Sequence, residues 1–493
     1  MLALTKQKLK ELCPIHPGEW AKFIYMFLIM ASVVYVHTTV KTLKDVLILS
    51  HLSTEVISAI KMWLVLPISL AVMLVYMKLS DMFKRSTLFH LLMWGFIGFF
   101  VLFAVLIYPN YRALTIHFDA SLVYSYPFLK YILIMISNWH FALFYLFAEL
   151  WVTIILSISV WQAINHITAI EESKRFYPLM GLSANIGMMI AGFCSKYFAT
   201  HNSSWQGTLN TSIASITIAA ALVSWSLVKL VNNIGDQTFN STVNVVNDSA
   251  PKKTKTKISF ADSVRMIFSS RAVMLIVLLL LSYNVSLNLI EGIWKKSIEI
   301  SCAGNANLIQ GFLSQVNAYI SEFSIVLSIV GIYILKAVSW RTAAMITPAL
   351  FTISGGIFFL YLIFRDASML QAFIIGGSAI YTASIVGAFH NISARSSKHT
   401  IYDSTKEMVY IPLSNDIKTK GKAAAELIGS RFGKGSGAFI QQCLLTIFPT
   451  MSLLDLTPIL SVIFLLLMVA WFYSTIELSK LLKNLGINEV VAK

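Results

Sequence analysis

The chain has 493 residues, of which 57% are hydrophobic and 12% are charged. Because soluble domains carry about 25% charged residues, this composition excludes a soluble multidomain enzyme. The formal net charge of +15 would suit a nucleic-acid-binding protein, but the basic residues are spread over the loops between apolar segments. The composition therefore indicates an all-α polytopic membrane protein with no nucleic-acid partner.

Apolar stretches of about 20 residues, the length that crosses a bilayer as a helix, recur along the whole chain. The first half predicts six spans, at 23–49, 59–78, 87–108, 133–161, 178–198 and 211–230. The second half predicts six more, at 272–294, 313–335, 342–364, 370–392, 423–448 and 457–477. Most of the 38 lysines and arginines lie at the N-terminus, in the even-numbered loops and at the C-terminus. By the positive-inside rule, we expect both termini in the cytoplasm.

The longest polar gap, 231–270, contains the basic run PKKTKTK and separates six spans from six. We therefore expect a cytoplasmic segment at 1–22, bundles of six helices at 23–230 and 271–478, and a cytoplasmic tail at 479–493. Two bundles joined by a linker are typical of transporters built from repeats, although any large membrane protein could divide evenly.

Charged side chains inside the spans are candidates for a site, because an ionisable group in lipid is costly without a partner or a water-filled cavity. In the first span, His37, Lys41 and Lys44 recur on one helical face, and Asp45 could pair with either lysine. Alternatively, this span ends near residue 40 and these groups lie among the headgroups. In the fourth span, Glu149 lies deep in an apolar run.

The seventh span carries Asn284, Asn288 and Glu291 on one face, which is too polar to meet lipid. This pattern predicts a functional glutamate that faces the interior of the protein. The two asparagines could instead join neighbouring helices by hydrogen bonds.

The approach to the eleventh span combines cations with glycines. Lys420 and Lys422 lie in the run KTKGK, and Arg431 and Lys434 follow in a glycine-rich stretch. Cations beside exposed backbone N–H groups favour phosphate oxygens. The stretch GSRFGKG is not a Walker A loop, since only three residues separate its first two glycines and no Ser or Thr follows the lysine. The glycines could equally serve close helix packing.

The charges form neither a cluster in one loop, as in an enzyme, nor a rim of one sign, as in many channels. The scattered cysteines and dispersed histidines predict no metal site, disulfide framework or cofactor. Lysines and carboxylates in both halves instead indicate a carrier for a multiply charged anion. In such a carrier, the carboxylates balance the lysines when no substrate is bound.

Seven stretches of the chain resemble the nucleotide transporter family, which comprises the ATP/ADP translocases of obligate intracellular bacteria and plastids. They are TLKDVLILS, AELW, ITAIEESKRFYPLMGLSAN, NLIEGIWK, AAMITP, YDSTKEMVYIPL and KTKGKAAAELIGSRFGKGSGAFIQQ. The resemblance implies twelve transmembrane helices in two six-helix bundles of the major-facilitator type. It also implies import of ATP in exchange for ADP, in some members with phosphate, across the inner membrane of an intracellular bacterium. The resemblance does not define an oligomeric state.

Four charged positions are associated with transport in that family, and they match Lys44, Glu149, Glu291 and either Lys420 or Lys422. We expect the two glutamates to pair with the lysines in the empty carrier, and the other cations to add positive potential. Relatives of this family also include proton-driven importers of other ribonucleotides or of NAD, in which one of these glutamates would carry the proton. Departures from the family pattern, such as GKGSG in the eleventh span, leave the base specificity open.

Overall fold

The computed structural model describes residues 15–119, 121–122, 126–236, 239, 270–368, 374–413 and 421–484. Every regular element within these residues is helical. Residues 1–14 of the predicted N-terminal segment, most of the predicted linker and residues 485–493 of the predicted tail lie outside the described residues. The all-α prediction is confirmed for the described part of the chain.

Twelve helices correspond to the twelve predicted spans. In the first half they are α1 (Trp20–His51), α2 (Val56–Met82), α3 (Arg85–Leu114), α4 (Trp139–Ile167), α5 (Ile170–His201) and α6 (Trp205–Ile234). In the second half they are α7 (Arg271–Ser301), α8 (Ala306–Ala337), α9 (Trp340–Ile363), α10 (379–410), α11 (422–447) and α12 (Thr457–Asn484). Ten of these helices are long and apolar enough to cross a membrane. The other two, α10 and α11, are more polar because they carry charged and amide side chains in their interiors.

Two predicted spans have different bounds in the structure. The predicted fourth span, 133–161, contains a break at Asn138, whose φ of −109° and ψ of 44° end the short helix Pro127–Ser137 before α4 begins. The predicted tenth span, 370–392, starts too early and also ends too early, because the helix continues to residue 410. Gly376 and Gly377 have φ of 63° and 74°, a left-handed conformation that glycine adopts without a steric penalty. This turn precedes α10, which begins only at residue 379.

Polar caps fix where the helices start. At five starts a serine or asparagine side chain accepts a hydrogen bond from the backbone N–H three residues later, which satisfies one of the unpaired donors of the first turn. These residues are Ser204, Ser270, Asn305, Ser339 and Ser378. Each cap stands at the boundary between a loop and an apolar helix, so it sets the first residue of that helix.

The helices form two bundles with one central helix in each. In the first bundle, α1 packs against α4, α5 and α6, and in the second bundle α7 packs against α10, α11 and α12. The two bundles meet mainly where α5 packs on α8. Gly192 of α5 permits this close approach, because a Cβ atom there would lie 2.8 Å from the backbone nitrogen of Ala318 on α8. In a bilayer, small residues at such contacts let helix backbones pack closely.

Successive helices run in opposite directions, so an even number of them brings both ends of the described chain to one side. We call the side that holds residues 15 and 484 the terminal end. We call the opposite side, which holds the connections 52–55, 302–305 and 448–456, the distal end.

Candidate functional site

Lys44 and Asp45 of α1 are buried near the centre of the protein, and each is 4% exposed. Because α1 continues to His51, the alternative in which the span ends near residue 40 is wrong. The Lys44 Nζ lies 2.8 Å from the Oε1 of Glu149 on α4 and 3.3 Å from the Oδ1 of Asp45. It also lies 3.6 Å from the centre of the Tyr145 ring, in a cation–π contact. The expected pairing of Glu149 with Lys44 is therefore present.

Lys295 of α7 connects this group of charges to the second bundle. Its Nζ lies 2.8 Å from the Oδ2 of Asp45 and 2.9 Å from the Oε1 of Glu291, which is one helical turn earlier on α7. The other oxygen of Glu291 accepts a hydrogen bond of 2.9 Å from the Nη2 of Arg395 on α10. Glu291 thus pairs with Lys295 and Arg395, rather than with the lysines for which the sequence predicted a pairing.

These contacts form one continuous series of charges, which we call the ion chain. Its six members alternate in sign, and they follow the order Glu149, Lys44, Asp45, Lys295, Glu291 and Arg395. Buried charges are costly unless each is paired and hydrogen-bonded. The ion chain satisfies this requirement with three acids and three bases, and its formal charge is zero.

A pocket lies beside the ion chain between α1, α7, α8 and α10. Besides four members of the ion chain, Lys41, Trp294, Asn317 and Asn391 line this pocket. Lys41 is half-buried, and no carboxylate oxygen of the described residues lies within 4.0 Å of its ammonium group. An anion that entered the pocket would therefore meet a cation that no described carboxylate contacts directly.

A second pocket lies on the other side of Glu291 and Lys295, between α2, α7 and α11. Besides Lys295, this pocket is lined by the cation Lys61, whose Nζ donates a hydrogen bond of 3.2 Å to the Oδ1 of Asn288. Lys61 likewise has no carboxylate oxygen within 4.0 Å among the described residues. The two pockets share Glu291 and Lys295 as a common wall, so an anion in either one would act on the ion chain.

The two asparagines of α7 differ in their contacts. The Nδ2 of Asn284 donates to the carbonyl oxygens of Leu280, at 2.8 Å, and of Gly429 on α11, at 3.3 Å. Asn284 therefore joins two helices, as the structural alternative proposed. Asn288 instead faces the second pocket beside Lys61.

Lys422 lies in a separate cluster at the terminal end. Its Nζ is 2.5 Å from the Oε2 of Glu407, while Lys406 pairs with Glu426 at 2.7 Å. These contacts join the end of α10 to the start of α11, and Lys422 does not line either pocket described above. Lys420 lies outside the described residues, as do the side chains of Arg431 and Lys434.

Several helices of the site contain a π-helical segment, which holds more residues in a turn than an α-helix does. These segments are Ile60–Val65 in α2, Val152–Val160 in α4, Lys398–Tyr402 in α10 and Glu426–Phe432 in α11. Lys61 lies within the first of them, and Glu149 and Arg395 each lie less than a turn before the next two. Irregular helical turns of this kind frequently mark functional sites.

At the distal end, polar contacts tie the two bundles to each other. The Oε2 of Glu55 lies 3.2 Å from the Nζ of Lys296 on α7, and the Oε1 of Glu55 accepts from the backbone N–H of Leu453 at 3.3 Å. Glu299 accepts from the N–H of Thr54 at 2.7 Å and pairs with Lys296 at 2.7 Å. We call these five residues the distal lock.

The connection that carries Leu453 is itself held in shape by Asp455. The Oδ2 of Asp455 accepts from both the backbone N–H and the hydroxyl of Ser452, each at 2.8 Å. These hydrogen bonds lower the pKa of Asp455, because they stabilise its charged form. The connection therefore presents the N–H of Leu453 to Glu55 from a fixed turn.

At the terminal end, the described ion pairs stay within one bundle. In the first bundle, Arg175 forms two hydrogen bonds of 2.7 Å with Glu19, and Lys22 pairs with Glu172 at 2.6 Å. In the second bundle, Arg271 of α7 pairs with Glu477 of α12 at 2.5 Å. In this conformation, the distal lock therefore joins the two bundles at the distal end. No described ion pair crosses between the bundles at the terminal end.

Comparison with known proteins decides the family. The TLC ATP/ADP transporter family matches residues 4–482. The chain belongs to this family. The ADP,ATP carrier protein 3 of Rickettsia bellii is 34% identical over 497 residues, which cover 96% of this chain and 97% of that protein. The ADP,ATP carrier protein 4 of Rickettsia typhi is 35% identical over 489 residues, which cover 96% of this chain and 93% of that protein.

Solved structures confirm the fold of this TLC family member. A bacterial homologue of the iron transporter ferroportin, in an inward-facing state, matches with a TM-score of 0.61 and 12% identity, over 94% of this chain and 99% of that one. The xylose transporter XylE of E. coli, in an inward open conformation, matches with a TM-score of 0.53 and 12% identity, over 94% of each chain. The predicted major-facilitator type is therefore confirmed.

Sequence reasoning missed three cations of this TLC family member. Lys61, Lys295 and Arg395 lie at or just beyond the ends of predicted spans and were not among the predicted site residues, whereas the structure puts all three against Glu291 or its pockets. One signal was available, since Lys295 follows Glu291 by four residues and side chains at that spacing meet on a helix. No comparable signal links Arg395 to Glu291, because 104 residues separate them.

Proposed function

We propose that this TLC family member is an antiporter that imports ATP in exchange for ADP by alternating access. The observation that carries the proposal is the ion chain, which runs through both bundles and has a buried centre formed by Lys44, Asp45 and Lys295. The names of the relatives, which are ADP,ATP carrier proteins, support nucleotides as the anions that this site serves. The fold supports movement of the two bundles around a central site.

The substrate phosphates would bind among the cations of the first pocket. Lys41 lines this pocket and would act as a point charge, and Arg395 would offer the planar pair of donors that suits a phosphate group. Lys44 lines neither described pocket, and the substrate would reach it by displacing Glu149. Phosphate oxygens would replace Glu149 at Lys44 and Glu291 at Arg395. The carboxylates thus hold the cations in the empty carrier, and the substrate competes with them for the same donors.

Lys422 would act at a different step from the pocket lysines. Its side chain is 40% exposed, and it lies at the terminal end, where no described ion pair joins the bundles. We assign it to the first contact of a nucleotide phosphate that approaches from that end, in competition with Glu407. Lys420, Arg431 and Lys434 belong to the same basic stretch of sequence, and we expect them to add positive potential for the substrate.

The distribution of lysines and arginines supports an orientation with both termini in the cytoplasm. The terminal end would then face the cytoplasm of the bacterium, across its inner membrane. Because the distal lock closes the other end, the conformation described above would be the inward-facing one. In this orientation, imported ATP leaves through the terminal end and ADP enters there.

The exchange of ATP for ADP alone would move charge. ATP carries about one more negative charge than ADP, and moving one charge across the membrane potential corresponds to about 2.3 kcal/mol per 100 mV. Phosphate that accompanied ADP would cancel this difference. If exchange currents persist in voltage-clamped liposomes at saturating phosphate, phosphate does not accompany ADP in a charge-balanced exchange.

The test is uptake of labelled ATP by intact bacteria that express the chain and lack such a carrier. After loading, cells are chased with unlabelled ADP, GTP, UTP, CTP or NAD, with and without an uncoupler. Rapid release of label under ADP alone, insensitive to the uncoupler, is the expected result. Uptake that collapses with the uncoupler would instead favour a proton-coupled relative, and a chase by another nucleotide would change the assigned substrate.

Two variants connect this activity to the ion chain. Lys44→Ala is expected to abolish uptake, because it removes the cation that Glu149, Asp45 and the substrate share. Lys130→Ala, which removes a lysine at the distal end outside both pockets, is the matched control and should retain uptake. Normal uptake by Lys44→Ala, with insertion verified, would refute the site.

A further inference from the structure

The ion chain passes between the two bundles at one link. That link is the 2.8 Å pair between the Oδ2 of Asp45 on α1 and the Nζ of Lys295 on α7. The other four links join residues of the same bundle. Both side chains of the link are almost fully buried, at 5% and 3% exposure.

Asp45 and Lys295 each keep a second partner if the link opens. Asp45 keeps Lys44 through its other oxygen, and Lys295 keeps Glu291. Opening the link therefore leaves no buried charge without a counterion, which would otherwise be strongly destabilising. The Asp45–Lys295 pair can therefore break and form again at a moderate cost in free energy. A buried ion pair with a purely structural role does not need this property.

A bound polyanion would act on the two members of the link in opposite ways. Negative phosphate oxygens in the first pocket would attract Lys295 and Lys44, both of which contact Asp45, and would repel Asp45 itself. In the empty carrier, no phosphate competes with Asp45 for Lys295. The link is thus strongest when no substrate is bound and weakest when the pocket is filled.

We propose that the Asp45–Lys295 pair is the positioning element that couples reorientation to substrate, and so makes the transport an obligatory exchange. This inference rests on the proposed function. It assigns to Asp45, which is an acid and cannot itself bind an anion, the role of holding the empty carrier in one orientation. Loss of the pair should let the empty carrier reorient and so convert exchange into net flux.

The experiment compares two fluxes from liposomes that contain the purified chain and are loaded with labelled ADP. Exchange is the release of label into buffer with external ATP, and net efflux is the release into buffer without nucleotide. The variant is Asp45→Asn, which leaves Lys44 with Glu149 and Lys295 with Glu291. Asp45→Glu, which keeps the charge, tests rescue.

A matched control removes a contact between the bundles that lies outside the ion chain. Thr208 of α6 donates a hydrogen bond of 2.8 Å to the Oδ1 of Asn307 on α8, and Thr208→Val abolishes it. If any weakened contact between the bundles permitted net flux, this variant would show it as well.

For the unsubstituted chain, exchange should exceed net efflux by about tenfold or more, the factor that one charge-assisted hydrogen bond supplies. In Asp45→Asn the two fluxes should become similar, while Asp45→Glu and Thr208→Val should keep the original ratio. A ratio that stays unchanged in Asp45→Asn would overturn the proposal while the exchange function stands. Absence of exchange in the unsubstituted chain would refute the proposed function itself.

A second readout covers the case in which Asp45→Asn inserts but transports poorly. Cys302 is buried at the distal end, and in a chain without the other cysteines it reports opening of that end to an impermeant maleimide. Faster labelling of Cys302 in Asp45→Asn without nucleotide, with the unsubstituted chain protected, supports the coupling role. Equal protection of both would overturn it.

Discussion

The two ends of the molecule use the same kinds of charged residue in opposite ways. At the distal end, Glu55, Lys296 and Glu299 tie one bundle to the other, whereas at the terminal end Arg175 and Glu19 tie a bundle to itself. Contacts within one bundle can survive a rocking motion of the bundles. Contacts that join the two bundles at the distal end have to break. The difference indicates that opening the distal end requires breaking the distal lock.

The largest effect is expected from a covalent link across the distal end. The hydroxyl of Ser58 on α2 donates to the Oε1 of Gln442 on α11 at 2.9 Å, so cysteines at these two positions can be bridged by a short bifunctional thiol reagent. In a background without the native cysteines, bridging should reduce ATP/ADP exchange to the level of protein-free liposomes. A bridge between cysteines at Lys22 and Glu172, within the first bundle, should leave most of the exchange. Equal loss of exchange with both bridges would mean that the distal contacts between the bundles do not differ in this respect from the contacts within one bundle.

The next largest effect concerns the contact between α5 and α8, around which the bundles would turn. Gly192→Ala places a methyl group 2.8 Å from backbone atoms of α8. Overpacking of this kind costs about 1–3 kcal/mol, so we expect a lower melting temperature and slower exchange. Gly311→Ala on α8, where a Cβ meets nothing within 4 Å, is the control. If the two variants melt alike, the close approach of α5 and α8 is not as described.

Weakening the distal lock should shift the carrier toward its other orientation. Glu55→Gln removes the ion pair with Lys296 but keeps an acceptor for the N–H of Leu453. Loss of a hydrogen bond to a charged group corresponds to about 1.5–3 kcal/mol, so labelling of Cys302 by an impermeant maleimide should accelerate about tenfold. Glu477→Gln, at the terminal end, should leave the labelling rate unchanged. No acceleration in Glu55→Gln would mean that the lock does not hold the distal end closed.

The smallest effect on the exchange rate is expected from a substitution at the terminal end. Arg175→Gln breaks the pair with Glu19, but this pair lies within the first bundle and is partly exposed. Because both partners move together with the first bundle, exchange should stay within about twofold of the unsubstituted rate, and loss of the two parallel hydrogen bonds should lower the melting temperature. A much larger loss of exchange would show that the terminal pairs also take part in the transition.

Much of the fold could be predicted from the sequence because a bilayer imposes long apolar helices and asymmetric charge. The predicted bounds of the fourth and tenth spans were wrong because local backbone conformation decides where those helices begin. Asn138 breaks the apolar run before α4, and Gly376 and Gly377 delay the start of α10 by a turn that hydropathy does not reveal. Both errors came from reading apolar content without the local backbone conformation.

The candidate site was only partly predictable. Lys44, Glu149 and Glu291 could be chosen because each is a charge deep in an apolar run. Lys61, Lys295 and Arg395 lie closer to polar flanking sequence, where one-dimensional hydropathy cannot distinguish a loop from a cavity wall. Only the packing of α2, α7 and α10 brings these three cations to Glu291 and its pockets.

The π-helical segments have a consequence for how the charges can change partners. Each wide turn stores extra chain within a helix, and transfer of one residue out of it rotates the adjoining part of that helix by about 100°. Because Lys61, Glu149 and Arg395 lie in or beside such turns, each could turn about its own helix axis without moving the bundle. Such a local rotation would let a change in ion pairing precede the larger tilt of the two halves.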